Sequence, residues 1–245
     1  MKYPALLFAL SLMVSLLGCN RPEGEATDIR IEFELLVNGE PLDLSEGQYT
    51  SEDGLTYRID DFKVYLSNVV FNGSGSDFAE TESYHLLAPT AGQSALSFVV
   101  PQVPRANYTG LTLGVGVDPE ANVSLDNPGD LNPSNQMAWN WNVGYKFVLL
   151  EGEAVAADST LPLVFHIGFE RNYATQSFSF TNDLDLTLEE TATLTFEIEV
   201  GELFRNPNTI NFGEANNLQF GENVDLVAEN WGSGFLTFTG FTIPE

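Results

Sequence analysis

The chain alternates. Ile29, Ile31, Phe33, Leu35 and Val37 share one parity, with Arg30, Glu32 and Glu34 on the other. Ala192, Leu194, Phe196, Ile198 and Val200 do the same against Thr193, Thr195, Glu197 and Glu199. Successive side chains of an extended strand point to opposite faces, so this pattern buries one face of a sheet and leaves the other in water. Leu111, Leu113, Val115 and Val117 form a third run. Leu55, Tyr57 and Ile59 start a fourth, which resumes as Phe62, Val64 and Leu66 after a parity shift at Asp60-Asp61 that predicts a bulge. Phe235 to Phe241 reads as a closing strand, with less regular facing. Asn38-Gly39, Asp53-Gly54, Asn72-Gly73 and Asn127-Pro128-Gly129 supply turn chemistry between the runs. A helical period shows only briefly, around Val224 to Asn230. Half-polar strands suit antiparallel sheets with one solvated face. The expected fold is therefore all-β, an antiparallel β-sandwich (immunoglobulin-like or related) with at most one or two short helices.

The first residues bear on compartment. Lys2 precedes an apolar run from Ala5 to Leu17, broken only by Ser11 and Ser15. Such a run falls short of the about 20 residues of a comfortable membrane span and sits where a signal peptide sits. Leu16-Leu17-Gly18-Cys19 resembles the lipobox cut by the lipoprotein signal peptidase, whose cysteine is acylated and becomes the first mature residue. The expectation is a signal peptide over residues 1–18, a lipidated tether over 19–27 and one domain over 28–245. Cys19 would anchor it at the periplasmic or cell-surface face of the outer membrane. Cys19 is also the only cysteine, which excludes a disulfide framework, a thiolate metal site and a cysteine nucleophile. Removing residues 1–18 takes away Lys2 and no acid. The basic residues fall from 9 to 8 against 35 acidic ones, and the formal net charge goes from −26 to −27. That balance argues against nucleic acid and against charge-driven docking on anionic lipid.

Three features are candidates for chemistry. In Met137-Ala138-Trp139-Asn140-Trp141-Asn142-Val143-Gly144-Tyr145-Lys146-Phe147, a single strand would place Trp139, Trp141, Val143, Tyr145, Phe147 and Leu149 on one face. That is either a heavy core strand or a functional aromatic cluster, since each indole N–H asks for a partner that Leu or Ile would not need. The only two histidines are His85, in Ser83-Tyr84-His85-Leu86-Leu87, and His166, which faces away from Leu163, Phe165 and Ile167. Two imidazoles brought close would suit copper or zinc; otherwise they are unrelated surface or satisfied residues. The acidic loop 118–132 is rich in the oxygen ligands that calcium requires, although its spacing fits no EF-hand and Asp and Asn are ordinary turn formers. No nucleophile elbow, phosphate loop or H-E-x-x-H appears, so the chain is read as a non-enzyme.

Several segments together resemble one family. Gly39-Glu40-Pro41-Leu42, Phe62-Lys63-Val64-Tyr65-Leu66-Ser67-Asn68-Val69 and Tyr108-Thr109-Gly110-Leu111-Thr112-Leu113-Gly114-Val115-Gly116-Val117 are similar to the MbnP-like family. The tryptophan segment, Phe165-His166-Ile167-Gly168, Leu203-Phe204 and Ala228-Glu229-Asn230-Trp231 continue the resemblance in order. These are copper-binding exported proteins associated with methanobactin operons. The resemblance implies oxidation of a tryptophan to kynurenine by a MauG-like di-haem cytochrome c peroxidase-type partner. It makes Trp139 and Trp141 the candidate modified residues. It makes His166 the foremost copper ligand, with His85 and Met137 as further donors. In some relatives a tryptophan stands two residues before a ligand histidine; here Ser83 holds that place relative to His85. The competing class is a surface adhesion or carbohydrate-binding lipoprotein using exposed aromatics. A hydrolase would instead need two carboxylates facing each other in a cleft.

Overall fold

The structure, a computed structural model, describes residues 26–139, 142, 144–187 and 191–244. Cys19 and the expected signal segment lie outside the described residues. In chain order the strands begin with β1 (Ala26–Val37), β2 (Glu40–Pro41), β3 (Tyr49–Thr50), β4 (Thr56–Gly73) and β5 (Phe78–Ala79). Next come β6 (Tyr84–Leu87), β7 (Ala95–Pro104), β8 (Asn107–Val115), β9 (Lys146–Ala156) and β10 (Ser159–Gly168). The last are β11 (Ala174–Asp185), β12 (Thr191–Glu199), β13 (Asn217–Leu218) and β14 (Leu236–Thr242), with one helix, α1 (Glu222–Asn230), before β14. The expected short helix is present and starts two residues earlier than Val224.

Two sheets form. The smaller orders β14-β12-β1, with β2 and β7 also paired to β1. The larger orders β11-β8-β4-β9-β10-β13, with β3, β5 and β6 paired to the long strand β4. Alternation does its work in β1, where Ile29, Ile31, Phe33, Leu35 and Val37 are buried and the intervening Arg30, Glu32 and Glu34 are exposed. Rings join the sheets: Phe178 of β11 meets Phe196 of β12 edge-on at 5.1 Å, and Phe180 meets Phe238 of β14 at 4.9 Å. The bulge falls where the parity shifts, between Ile59 and Asp61 in the β4–β9 ladder.

Three details depart from expectation. The sheets are mixed: β1 runs parallel to β12, from Asp28↔Thr191 to Leu36↔Glu199, and β10 runs parallel to β13. Alternation tells which face is buried and is silent on a neighbour's direction. Asn72-Gly73 ends β4 inside the ladder rather than forming the turn itself. Residues 137–149 are not one strand. Ala138 bridges antiparallel to Tyr145, Trp139 N–H donates to the Gly144 carbonyl at 3.0 Å, and Lys146 N–H donates to the Met137 carbonyl at 2.7 Å. The chain therefore doubles back before β9. Gly144, at φ +120°, takes a backbone conformation that L side chains rarely adopt, and a Cβ there would stand 2.8 Å from Asn122 Oδ1.

Candidate functional site

The doubling-back seats Trp139 against β10. Trp139 is buried at 5% exposure, and its ring lies edge-on to His166 with centroids 6.4 Å apart. Gly168, two residues after His166, makes room: a Cβ there would come within 2.9 Å of Trp139 Cζ2 and 3.2 Å of Nε1. Phe169 follows and stacks on the indole at 5.5 Å and 23°. It does so at φ +74°, a region costly for a bulky side chain, and such strain gathers where a ring must be aimed. Beside this pair is an open hollow of about 350 Å³, walled by Pro119, Asn122, Val123, Trp139, Asn142 and Phe169.

His166 lies on the face of β10 opposite Phe165 and Ile167, as its parity requires, and has an oxygen beside each ring nitrogen. Its Nε2 lies 2.7 Å from Glu151 Oε1 on β9, and its Nδ1 lies 3.2 Å from Gln219 Oε1, just past β13. Burial pulls the imidazole below its ordinary value, and Glu151, about half exposed, offsets this only in part. The ring is thus neutral at neutral pH. A neutral imidazole has one N–H, so with Nε2–H given to the carboxylate, Nδ1 holds the lone pair and makes no hydrogen bond to the Gln219 Oε1 it faces, an acceptor whose own amide N–H is given to Asn217. Metal-ligating histidines are commonly held in this way, with the second nitrogen on a carboxylate. Lys146 completes the group, with Nζ 6.0 Å from the Trp139 ring centroid.

The other sequence candidates lie elsewhere or have other neighbours. His85 sits on β6, where its Nε2 meets Glu80 Oε2 at 2.7 Å, and its ring lies flat on Phe98 of β7 at 3.6 Å and 1°. It joins the two sheets and shares none of these partners with His166. Met137 is wholly buried among core side chains. Trp141 lies outside the described residues. Among the described residues no group of three or more His, Cys, Asp or Glu is close enough together to hold a metal ion.

In the loop 118–132 the named oxygens serve as internal braces. Asp118 Oδ1 accepts the backbone N–H of Glu120 and Ala121, and Oδ2 accepts from the Tyr84 hydroxyl at 2.6 Å and from Asn68 Nδ2 at 3.0 Å. Asn122 Oδ1 accepts from Tyr145 N–H at 2.8 Å, and Asn127 Nδ2 donates to the Tyr145 hydroxyl at 3.2 Å, so the loop fixes the start of β9. Burial pushes the Asp118 carboxyl up, but the hydrogen bonds outweigh it and hold the group below its usual 3.8. A lowered folded value contributes stability that is present above the unfolded value and lost as pH falls through the folded one. The stability gap between wild type and Asp118→Asn should then hold steady from neutral pH to about 4 and narrow below it. Chemical denaturation at stepped pH measures this, and a gap that stays constant to low pH would refute the bracing role of the charge.

Glu151, Gln219 and Phe169 complete the site without having been singled out from sequence, and Lys146 and Gly168, though within the family-like segments, were given no role there. Glu151 reaches His166 diagonally, because β9–β10 pairing sets Leu149 opposite His166 and Glu151 opposite Val164. Only that register reveals it. Gln219 carries no sequence signal.

Fold and site together define a class: a mixed-sheet β-sandwich domain with a buried indole set against a carboxylate-braced imidazole. The MbnP family profile matches residues 26–223, and the chain belongs to that family. MbnP from Methylosinus trichosporium shares the fold with a TM-score of 0.54 at 18% identity, over 79% of this chain and 83% of that one. No curated protein matches the chain.

Proposed function

We propose that this chain is an exported, lipid-anchored protein of the MbnP type. In this reading Trp139 is oxidised by a MauG-like di-haem partner, and copper binds at His166. The observation that carries it is the seating of Trp139 against a neutral, carboxylate-braced His166. Cys19 would hold this centre at the membrane, within reach of an exported di-haem enzyme.

The donor set bears on when copper binds. Copper favours imidazole and sulfur donors. The described site offers one imidazole nitrogen with oxygens from Glu151 and Gln219, while His85 is engaged with Glu80 and Phe98. The unmodified centre is a partial site that His166 fits as one ligand. A ring-opened tryptophan beside it would add the missing donors, so oxidation precedes tight copper binding. Copper when bound supplies a cation held at Trp139; Glu151 fixes the His166 tautomer.

An adhesive role with a sugar stacked on Trp139 would need an open indole face, and Phe169 covers this one. Protein co-produced with the di-haem partner should carry the mass change of indole ring opening on the peptide holding Trp139 and Trp141. It should bind copper more tightly than protein made alone, and His166→Ala should abolish the difference. An unmodified peptide removes the substrate reading; undiminished copper binding by His166→Ala removes the ligand.

A further inference from the structure

Lys146 is placed to govern how easily Trp139 loses an electron. Its backbone is tied to Met137, and its Nζ donates to the Gln136 carbonyl at 2.9 Å, so the ammonium is held over the indole at 6.0 Å rather than swinging free. The ring that covers Trp139 is also loaded. The Arg171 guanidinium carbon lies 4.9 Å over Phe169, and Arg171 Nε is fixed by both Asp225 oxygens at 2.9 and 3.0 Å. A chain with 9 basic residues and a net charge of −26 thus sets two of them against this one aromatic pair.

We infer that Lys146 is a charge-setting residue that makes Trp139 resistant to one-electron oxidation, so that diffusible oxidants leave it intact for a matched partner. This rests on the reading of Trp139 as the residue to be oxidised. The chemistry is a single electron transfer. An uncharged oxidant such as azide radical takes one electron from the indole π system and leaves as azide anion. The ring then carries a unit positive charge until its Nε1 proton passes to water. The ammonium attracts the electron-rich face of the neutral ring and repels the radical cation, so both ends of the step raise its cost. Glu151 acts with the opposite sign, because its carboxylate favours positive charge developing nearby.

The test uses protein made without any partner enzyme and azide radical generated by pulse radiolysis at pH 8; this oxidant is uncharged, so neither variant changes its approach to the ring by charge. Fragment mass spectrometry resolves oxidation at Trp139 from that at Trp141, with the deeply buried Trp231 as internal reference. Lys146→Met should speed Trp139 oxidation about tenfold, equal to about 1.4 kcal/mol of barrier. Lys146→Arg should behave as wild type, and Glu151→Gln should be slower than wild type. A Lys146→Met rate equal to wild type overturns the inference. So does faster oxidation in both Lys146→Met and Glu151→Gln, which would report loosened packing rather than charge. The oxidant acts alone, so failure here leaves enzymatic oxidation of Trp139 standing, and an unmodified peptide after co-production leaves this measurement standing.

Discussion

Gly168→Ala is expected to unseat Trp139. The added Cβ would lie 2.5 Å from the Tyr145 carbonyl oxygen and 2.9 Å from Trp139 Cζ2, both nearer than side-chain carbons pack. The first of these is backbone, locked in the ladder where Gly168 pairs with Lys146, so it cannot swing away. The indole has to retreat or the strands have to part. Forcing one methyl into a filled site costs about 1–3 kcal/mol. For a domain of this size that is a fall of roughly 2–12 °C in Tm. The particular signature is local. Trp139, at 5% exposure, becomes accessible, so acrylamide quenching of tryptophan emission rises as Tm falls. Unchanged melting together with unchanged quenching would show that the ring does not need a glycine beneath it. The same geometry explains why glycine ends the Phe-His-Ile-Gly element. The histidine supplies the polar partner and the glycine supplies the space.

Much of the frame was legible because alternation acts one strand at a time. Ile29 to Val37 buries the face its parity names, and the shift at Asp60-Asp61 is a bulge because one extra residue reverses every later side chain. His166 was legible as lying on the face opposite Phe165 and Ile167 for the same reason, though not that this face is covered as well. What alternation leaves out is the identity of the neighbour. Nothing in β1 says that its partner is a parallel strand more than 150 positions away, and nothing near Glu151 says that β9 pairs with β10 in the register that brings its carboxylate to His166. The tryptophan segment misled for a local reason. Its residues 137–149 hold a strand-like parity throughout, yet Gly144 permits the reversal that sets Met137 and Trp139 beside Tyr145 and Lys146. Periodicity sees the side chains, whereas the turn is a property of the backbone.

The largest single loss of stability is expected from Asn230→Leu, at the end of α1. This side chain is fully buried, and each of its polar atoms is used. Nδ2 donates to the Leu203 carbonyl at 2.9 Å and to the Asn208 carbonyl at 2.8 Å, and Oδ1 accepts from the Asn208 N–H at 2.8 Å. Leucine fills much the same volume and pairs with none of the three. A buried backbone group left without a partner costs about 1–3 kcal/mol, so a total loss of roughly 3–5 kcal/mol is expected after partial relaxation. The urea midpoint should fall at an unchanged slope, since little surface changes in either state. The consequence reaches the site through the chain that follows. Asn208 leads into Ile210, whose N–H bonds to Phe204, and to Phe212, which packs on Phe165 and Tyr57. Asn216 Nδ2 then donates to the Pro162 carbonyl, β13 joins β10, and Gln219 arrives at His166 Nδ1. A clamp lost at Asn230 should therefore also loosen Gln219, so the His166 imidazole becomes more exposed and its lowered titration moves back up toward 6.5 in NMR. A midpoint displaced by less than about 1 kcal/mol would mean that water re-pairs the three groups and that Asn230 is not the clamp. A stability loss with an unmoved His166 titration would confine Asn230 to α1 and separate the helix from the site.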